Sequence, residues 1–389
     1  MNFEFSSDEF NNKEFFLSLI RANLHSAHVE VLQFASEELR NDKEVVLEAL
    51  KYNKLNFEYA SALLRDDKEI ALVAVASHME TLQYTSERLR GDRDVVYAAI
   101  KEHGMALLSA SEEIRSDKEF VYNAIVWSHM HSAQKVLECA SAELKSDKSF
   151  ILDVVKVHGL VLEFASKELR NDKDVVLEAV KNNGSSLKFA SEELRNNKEV
   201  VLEAVKSNPA YKYLYNPLEF ASQELRSDRE VVLEAVKNFG TALEFASQDL
   251  RRDEEIVISA VKNNGLALKY APKRYIEDDA IVMMAVKSNG MILEYLPLKY
   301  RENKQYVLEA VHNNGCALEF KDNSIVFNRE EALEIVKKQG FCLEHLSKEF
   351  QADKEIVIAA IRNSDFAIEF ASQALQEDEE ILAILDNLE

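Results

Sequence analysis

Apolar and polar positions follow one another along this chain in a pattern that keeps returning. Val175, Val176, Ala179 and Val180 are spaced to fall on one stripe of an α-helix, with charged residues on the opposite face. A shorter apolar set, Leu162, Phe164 and Leu169, precedes that stretch, and similar pairs of stretches lie on either side. The pattern predicts a unit of one short and one longer helix, repeated along the chain. Taking the residue just before each longer stretch as origin gives Asn12, Asp42, Asp67, Asp92, Asp117, Asp147, Asp172, Asn197, Asp228, Asp253, Asp278, Asn303, Asn328, Asp353 and Asp378. These are fifteen positions, and eleven of the fourteen spacings are 25 residues. The other three, of 30, 30 and 31 residues, mark insertions near 23–29, 128–133 and 208–217. Residues 1–389 thus read as a single α-helical repeat domain, with drifted repeats over 271–345.

Local chemistry sharpens each unit. Every origin is Asp or Asn, whose short side chain accepts hydrogen bonds from the unpaired amides of a helix start, so all fifteen are expected to be N-caps. Two positions later twelve units carry Glu or Asp, at the positive end of the helix dipole, and nine positions later a cation is usual, as at Lys51, Lys101, Lys181, Lys262 and Lys337. Eight of the nine glycines stand twelve positions after the origin: Gly104, Gly159, Gly184, Gly240, Gly265, Gly290, Gly315 and Gly340. There they are expected to close the longer helix in a left-handed conformation. Ser lies six before the origin in twelve units, replaced by Pro272, Pro297 and Asp322 in three. All of these suit a helix start, so a tight helical turn should begin there, after a short helix ending near Ala190-type positions. A 25-residue unit cannot bury its stripe alone, and neighbours must stack. The expected fold is all-α: an α-solenoid (superhelix) of about fifteen repeats, each a short helix or turn plus an ~11-residue helix.

The stretches VLEFASKELRNDKDVVLEAVKNNG at 161–184 and ALEFASQDLRRDEEIVISAVKNNG at 242–265 carry a resemblance. The chain resembles, over essentially its whole length, a family of uncharacterised helical repeats of this length, paired into longer modules and catalogued as a domain of unknown function. The resemblance implies occurrence in amoeba-associated organisms, including intracellular bacteria that inject effectors, and it supplies no catalytic residues. Departures occur at 271–278, 295–303 and 320–328.

Composition narrows the function classes. With 69 acidic and 47 basic side chains the formal charge is −22, which disfavours nucleic acid and anionic membrane surfaces as partners. No apolar run approaches the roughly 18 residues of a spanning helix, so no membrane insertion is expected. The first residues lack a basic stretch followed by an apolar one, and Cys139, Cys316 and Cys342 form no CxxC pair, which suits an intracellular, soluble protein. The end of the chain, from Gln376 to Glu389, is acidic and then apolar, similar to a translocation signal of bacterial type IV effectors, although the same residues also obey the repeat.

No phosphate loop, dinucleotide fingerprint, zinc-protease motif or nucleophile elbow is present, and no cofactor is expected. His129 and His131, with His25 and His28 in another insertion, lack partners at metal-ligand spacing, while His78, His103 and His158 share the position eleven after the origin, where they can bond helix-terminal carbonyls. No metal site is expected.

Two sets of residues are candidates for binding a protein partner. The first is a row of cations two before the origin, including Arg40, Arg65, Arg90, Arg115, Arg170, Arg195, Arg226 and Arg251. Each could pair with a neighbouring Glu or cap short-helix carbonyls; together they could form a basic seam. The second set is aromatic and lies at insertions: Tyr211, Tyr213 and Tyr215 between Pro209 and Pro217, and the only tryptophan, Trp127. The expected function is a non-enzymatic protein-protein interaction scaffold; the resemblance adds the expectation of a translocated bacterial effector that binds a host or effector protein. The alternative is a cryptic enzymatic or enzyme-modulating activity in the drifted repeats, around Cys316, Cys342 and His345.

Overall fold

A computed structural model describes residues 12–22, 30–76, 78, 80–207 and 216–386. Its internal contacts divide the chain into two compact halves, Met1–Lys212 and Tyr213–Glu389. Both are helical, and no strand occurs among the described residues. A repeat has three pieces rather than two. In the second half, for instance, a six-residue 3-10 helix, Gly265–Tyr270, is followed by a four-residue turn, Lys273–Ile276, and a ten-residue α-helix, Asp279–Ser288. The piece read as a short α-helix is therefore wound as 3-10 in most repeats, and the longer helix is typically ten residues.

The expected stripe is the core. Val175, Val176, Ala179 and Val180 are fully buried, as are Ile256, Val257, Ala260 and Val261 in the second half. Burying a Val or Ile side chain contributes about 1.5–3 kcal/mol, and each repeat presents several such residues to its neighbours.

The caps fall where the pattern places them. At all fifteen origins the side-chain oxygen accepts one or two amides from the first turn of its own helix. Ser36, Ser111 and Ser191 cap the four-residue turns in the same way. The serine also links repeats through its backbone. Ser111 N–H donates to the Arg90 carbonyl at 2.9 Å, and Ser191 and Ser247 donate likewise to Arg170 and Arg226. Proline has no N–H to donate. At Pro272 the neighbouring Tyr275 hydroxyl and Arg274 guanidinium reach back to the Arg252 carbonyl instead.

The glycines do something other than expected. Among the described residues no glycine has a positive φ, so none closes a helix in the left-handed region. The longer helix ends one residue earlier, on an extended residue such as Asn183 or Asn264, and the glycine opens the next 3-10 helix. Its requirement is space. A Cβ on Gly104, Gly184, Gly265 or Gly290 would stand 2.0–2.1 Å from the carbonyl oxygen of an alanine in the next repeat's long helix. Only Gly lets the two backbones meet this closely. The contact is fastened by an asparagine: Asn182 accepts from Gly159 N–H at 2.7 Å and donates to the Lys156 carbonyl at 2.9 Å. Asn263, Asn313 and Asn363 repeat the clamp on Gly240, Gly290 and Gly340. Gly265→Ala should therefore cost about 1–3 kcal/mol by overpacking. Gly91→Ala, whose nearest neighbour is Ser111 Oγ at 3.4 Å, should stay within about 0.5 kcal/mol. Urea unfolding followed by circular dichroism distinguishes the two, and equal shifts would contradict the close-approach account.

A second link is ionic. The first residue of most long helices is Lys or Arg, and it reaches the origin and the acid two beyond it in the following repeat. Lys43 meets Asp67 and Glu69 at 3.1 and 2.7 Å, Arg93 meets Asp117 and Glu119 at 2.5 and 3.1 Å, and Arg329 meets Asp353 and Glu355 at 2.7 and 2.6 Å. Asp67 thus serves two repeats, one oxygen on its own helix and the other on the cation of the preceding repeat. The Arg229, Arg329 and Lys354 partners hold the carboxyls of Asp253, Asp353 and Asp378 below the usual carboxylate range. Because those pKa values are lower in the fold than in the unfolded chain, this contribution is complete above pH about 4 and is lost as pH falls through the folded values. The thermal midpoint should hold between about pH 5 and 7 and fall steeply below about pH 4. A midpoint unchanged in strong acid would rule out the shared carboxylates as a stabilising element.

Candidate functional site

The arginine row lies at the end of each four-residue turn. Its side chain runs back toward the 3-10 helix of its own repeat, whose last carbonyls lack intrahelical partners. Arg40 shows the geometry in full, Nε donating to the Leu32 carbonyl at 3.1 Å and an Nη to that of Gln33 at 2.7 Å. Where the row changes chemistry, the contact survives. Lys145 donates to the Glu138 carbonyl at 2.5 Å, and the Gln351 amide donates to Leu343 and Glu344, both at 3.0 Å. Gln376 does the same toward Glu369 and Ala371. Carbonyl capping is thus one use of this position, and it needs a donor rather than a charge.

The other arginines leave a remainder. The Nε atoms of Arg65, Arg90, Arg115, Arg170, Arg195 and Arg226 are buried and have no hydrogen-bond partner. Pairing with a neighbouring glutamate, one of the two structural readings of the row, does not occur: among the described residues none of these arginines, nor Arg251, enters an ion pair. Elsewhere cations are engaged, at helix starts as described and at helix ends through pairs such as Lys51 with Glu48 and Lys181 with Glu178.

Eight before eleven of the fifteen origins stands an aromatic residue, and Phe245 and Tyr270 of this set line concavities with Arg226 and Arg251. Most are half-buried; Phe34 and Tyr295 are close to half exposed. Lys269 sits over both Tyr270 and Tyr295, 4.8 and 4.9 Å from the ring centres. Two adjoining concavities, of about 300 and 250 Å³, open between these rings and the arginines in the second half.

Trp127 lies at the end of helix Lys118–Val126, partly exposed, edge-to-face with Tyr97 at 5.5 Å between ring centres. The insertion near 128–133 forms no protruding loop. It extends the short element of its repeat into a ten-residue α-helix, Met130–Cys139, and Trp127, His103 and His129 border a concavity of about 200 Å³ beside it. Tyr211, Tyr213 and Tyr215 lie outside the described residues. Tyr97 and Tyr122, exposed on consecutive long helices, add aromatic surface that the search for insertions passed over. Both occupy the fifth position after an origin, which is otherwise Leu in most repeats, and that exchange was the available signal.

The cysteine and histidine chemistry is modest. Cys342 is fully buried, and burial pushes its thiol up to about 12, while Cys316 is exposed. A thiol held protonated to such a pH is no nucleophile. Burial holds the His158 imidazole below its ordinary pKa, against the opposing pull of the Ser128 and Ile125 carbonyls at the end of helix Lys118–Val126, the helix-terminal contact expected at this position. Among the described residues no group of three His, Cys, Asp or Glu could hold a metal ion, and no helix is long and apolar enough to cross a membrane. With Ellman's reagent at neutral pH, Cys316 should label rapidly and Cys342 only on unfolding. Rapid labelling of Cys342 in the folded chain would contradict its burial.

These features define a class: a helical-repeat protein whose interior joins consecutive repeats and whose distinctive groups recur at set positions of the repeat. The chain matches the family described as Domain of unknown function (DUF4116) over residues 12–65, 42–90, 92–125, 133–170, 172–226, 210–251, 228–276, 253–301, 278–325 and 328–376, and it belongs to that family. No curated protein matches it.

Proposed function

We propose that this chain is a non-enzymatic protein-protein interaction scaffold. The observation that carries the reading is the arginine row: guanidinium groups held in one place repeat after repeat, without an acidic partner, on a chain of charge −22. Acids are abundant enough to neutralise every one of them if neutralisation were all that mattered. Repeat stacks use extended surfaces of this kind to engage a partner over several units. Phe245 and Tyr270, which line concavities with Arg226 and Arg251, add the contact type that anchors interfaces. Translocation into a host cell extends the proposal on the strength of the resemblance to effector-borne repeats. A translocation reporter fused to the chain and silent in host cells would remove that extension.

Affinity capture combined with cross-linking tests the scaffold itself. The full chain should retain a specific protein whose cross-links spread over consecutive repeats, and Trp127→Ala or the joint change of Tyr211, Tyr213 and Tyr215 to Ala should reduce its retention. Absence of any specific partner would leave a spacer role in place of the scaffold.

A further inference from the structure

The second half carries a groove whose charge differs from that of the surrounding surface. Its two concavities adjoin and share Gln248 and Arg251. Arg226 and Phe245 line the first, and Tyr270 lines the second. In the first half the residue three before the arginine is often Glu, as at Glu37, Glu87, Glu112 and Glu192; beside Arg226 and Arg251 it is Gln223 and Gln248. The next two repeats bring Lys273, Arg274 and Lys299 to the same turn, Lys273 and Lys299 pairing there with Glu277 and Asp279. One carboxylate, Glu244, lines the first concavity, and it is engaged by the Tyr270 hydroxyl.

We propose that this groove binds an extended acidic segment of a protein partner, its carboxylates seated on Arg226 and Arg251 and its backbone lying across the Phe245 and Tyr270 rings. The inference deepens the scaffold reading and rests on it. Three observations favour this occupant. A guanidinium fork matches a carboxylate in geometry and charge, and here two forks have no acid of their own. Arg226 and Arg251 both line the first concavity, whose one carboxylate, Glu244, is already engaged by Tyr270. Successive helix layers lie roughly 8–10 Å apart, and a chain in the extended polyproline II form advances about 3.1 Å per residue with three residues per turn, so acids three residues apart share one face and match arginines one repeat apart. The groove is thus selective for spacing as well as for charge.

Fluorescence anisotropy with the full chain tests the proposal. The probe is a labelled synthetic peptide with Glu at every third position among Ser and Ala; its comparators carry Gln in place of Glu, or the same Glu residues clustered. A single-stranded oligonucleotide is the rival ligand. The spaced acidic peptide should bind most tightly and weaken between about 0.1 M and 1 M salt. Joint Arg226→Gln and Arg251→Gln should weaken it about tenfold or more. Glutamine keeps a donor for the 3-10 carbonyls, as Gln351 and Gln376 do, so the thermal melt should be preserved. Joint Lys237→Gln and Lys262→Gln removes the same charge from the long helices of the same repeats and should leave binding unchanged.

Equal affinity for the Gln peptide, equal loss in both double variants, absence of peptide binding, or preference for the oligonucleotide would overturn the proposal. The scaffold reading fails separately. A partner captured equally by the parent chain and by the arginine double variant removes the groove and keeps the scaffold; peptide binding with no captured protein does the reverse.

Discussion

Backbone meets backbone in this protein where a glycine of one repeat lies under an alanine carbonyl of the next, with no room for a Cβ between them. The rest of the stack depends on that approach. Small residues on both sides bring consecutive long helices close enough for their Val and Ile stripes to be fully buried. The same closeness lets one asparagine satisfy a glycine N–H and a helix-terminal carbonyl in the preceding repeat. Where the alanine is absent the contact changes partner: a Cβ on Gly315 would strike the Gln339 side chain and Cys342 Sγ, since the following repeat places Ile335 at the alanine position. This substitution falls within the drifted repeats.

Electrostatics follow from the stacking rather than cause it. An aspartate at a helix start is already fixed by its own amides, and the next lower repeat presents a cation to its second oxygen. Each pair stands partly in water and is weak alone. Repetition turns the pairs into a ladder, and the ladder accounts for much of the acidic excess: the acids at an origin and two beyond it are held by helix amides and cations. The arginines two before the origin belong to a different row. Their stems lie against the 3-10 helix, their charge is unopposed, and a donor without charge serves the structural need at Gln351 and Gln376. That separation of a structural role from a surplus charge is the physical basis for a binding surface.

Much of the fold was legible before any coordinates. The caps at Asp42 through Asp378, the Ser-initiated turns and the buried Val-Val-x-x-Ala-Val stripe depend on bonds within a few residues, which spacing reveals directly. What escaped were relations across 25 residues. The glycines look locally like helix terminators, because a Gly after a helix usually is one, yet the atom that excludes a side chain belongs to the following repeat. The cation at each helix start is locally unfavourable at the positive end of a dipole. That anomaly, in twelve of fifteen units, was the clue to the inter-repeat ladder. The insertion beside Trp127 is visible in the sequence only as a longer spacing, whereas in the fold its residues wind the 3-10 piece into a longer α-helix.

The candidate surface divides in the same way. Sequence alone determined that the chain is an array of capped helical units, where each unit begins, and that a row of arginines and a row of aromatics recur at set positions, because these follow from periodicity and short-range hydrogen bonding. Only the tertiary structure decided which cations find acids and which do not, since the partner in each case comes from another repeat. It also decided that Arg226 and Arg251 share a groove with Phe245 and Tyr270, a juxtaposition created by stacking one repeat on the next.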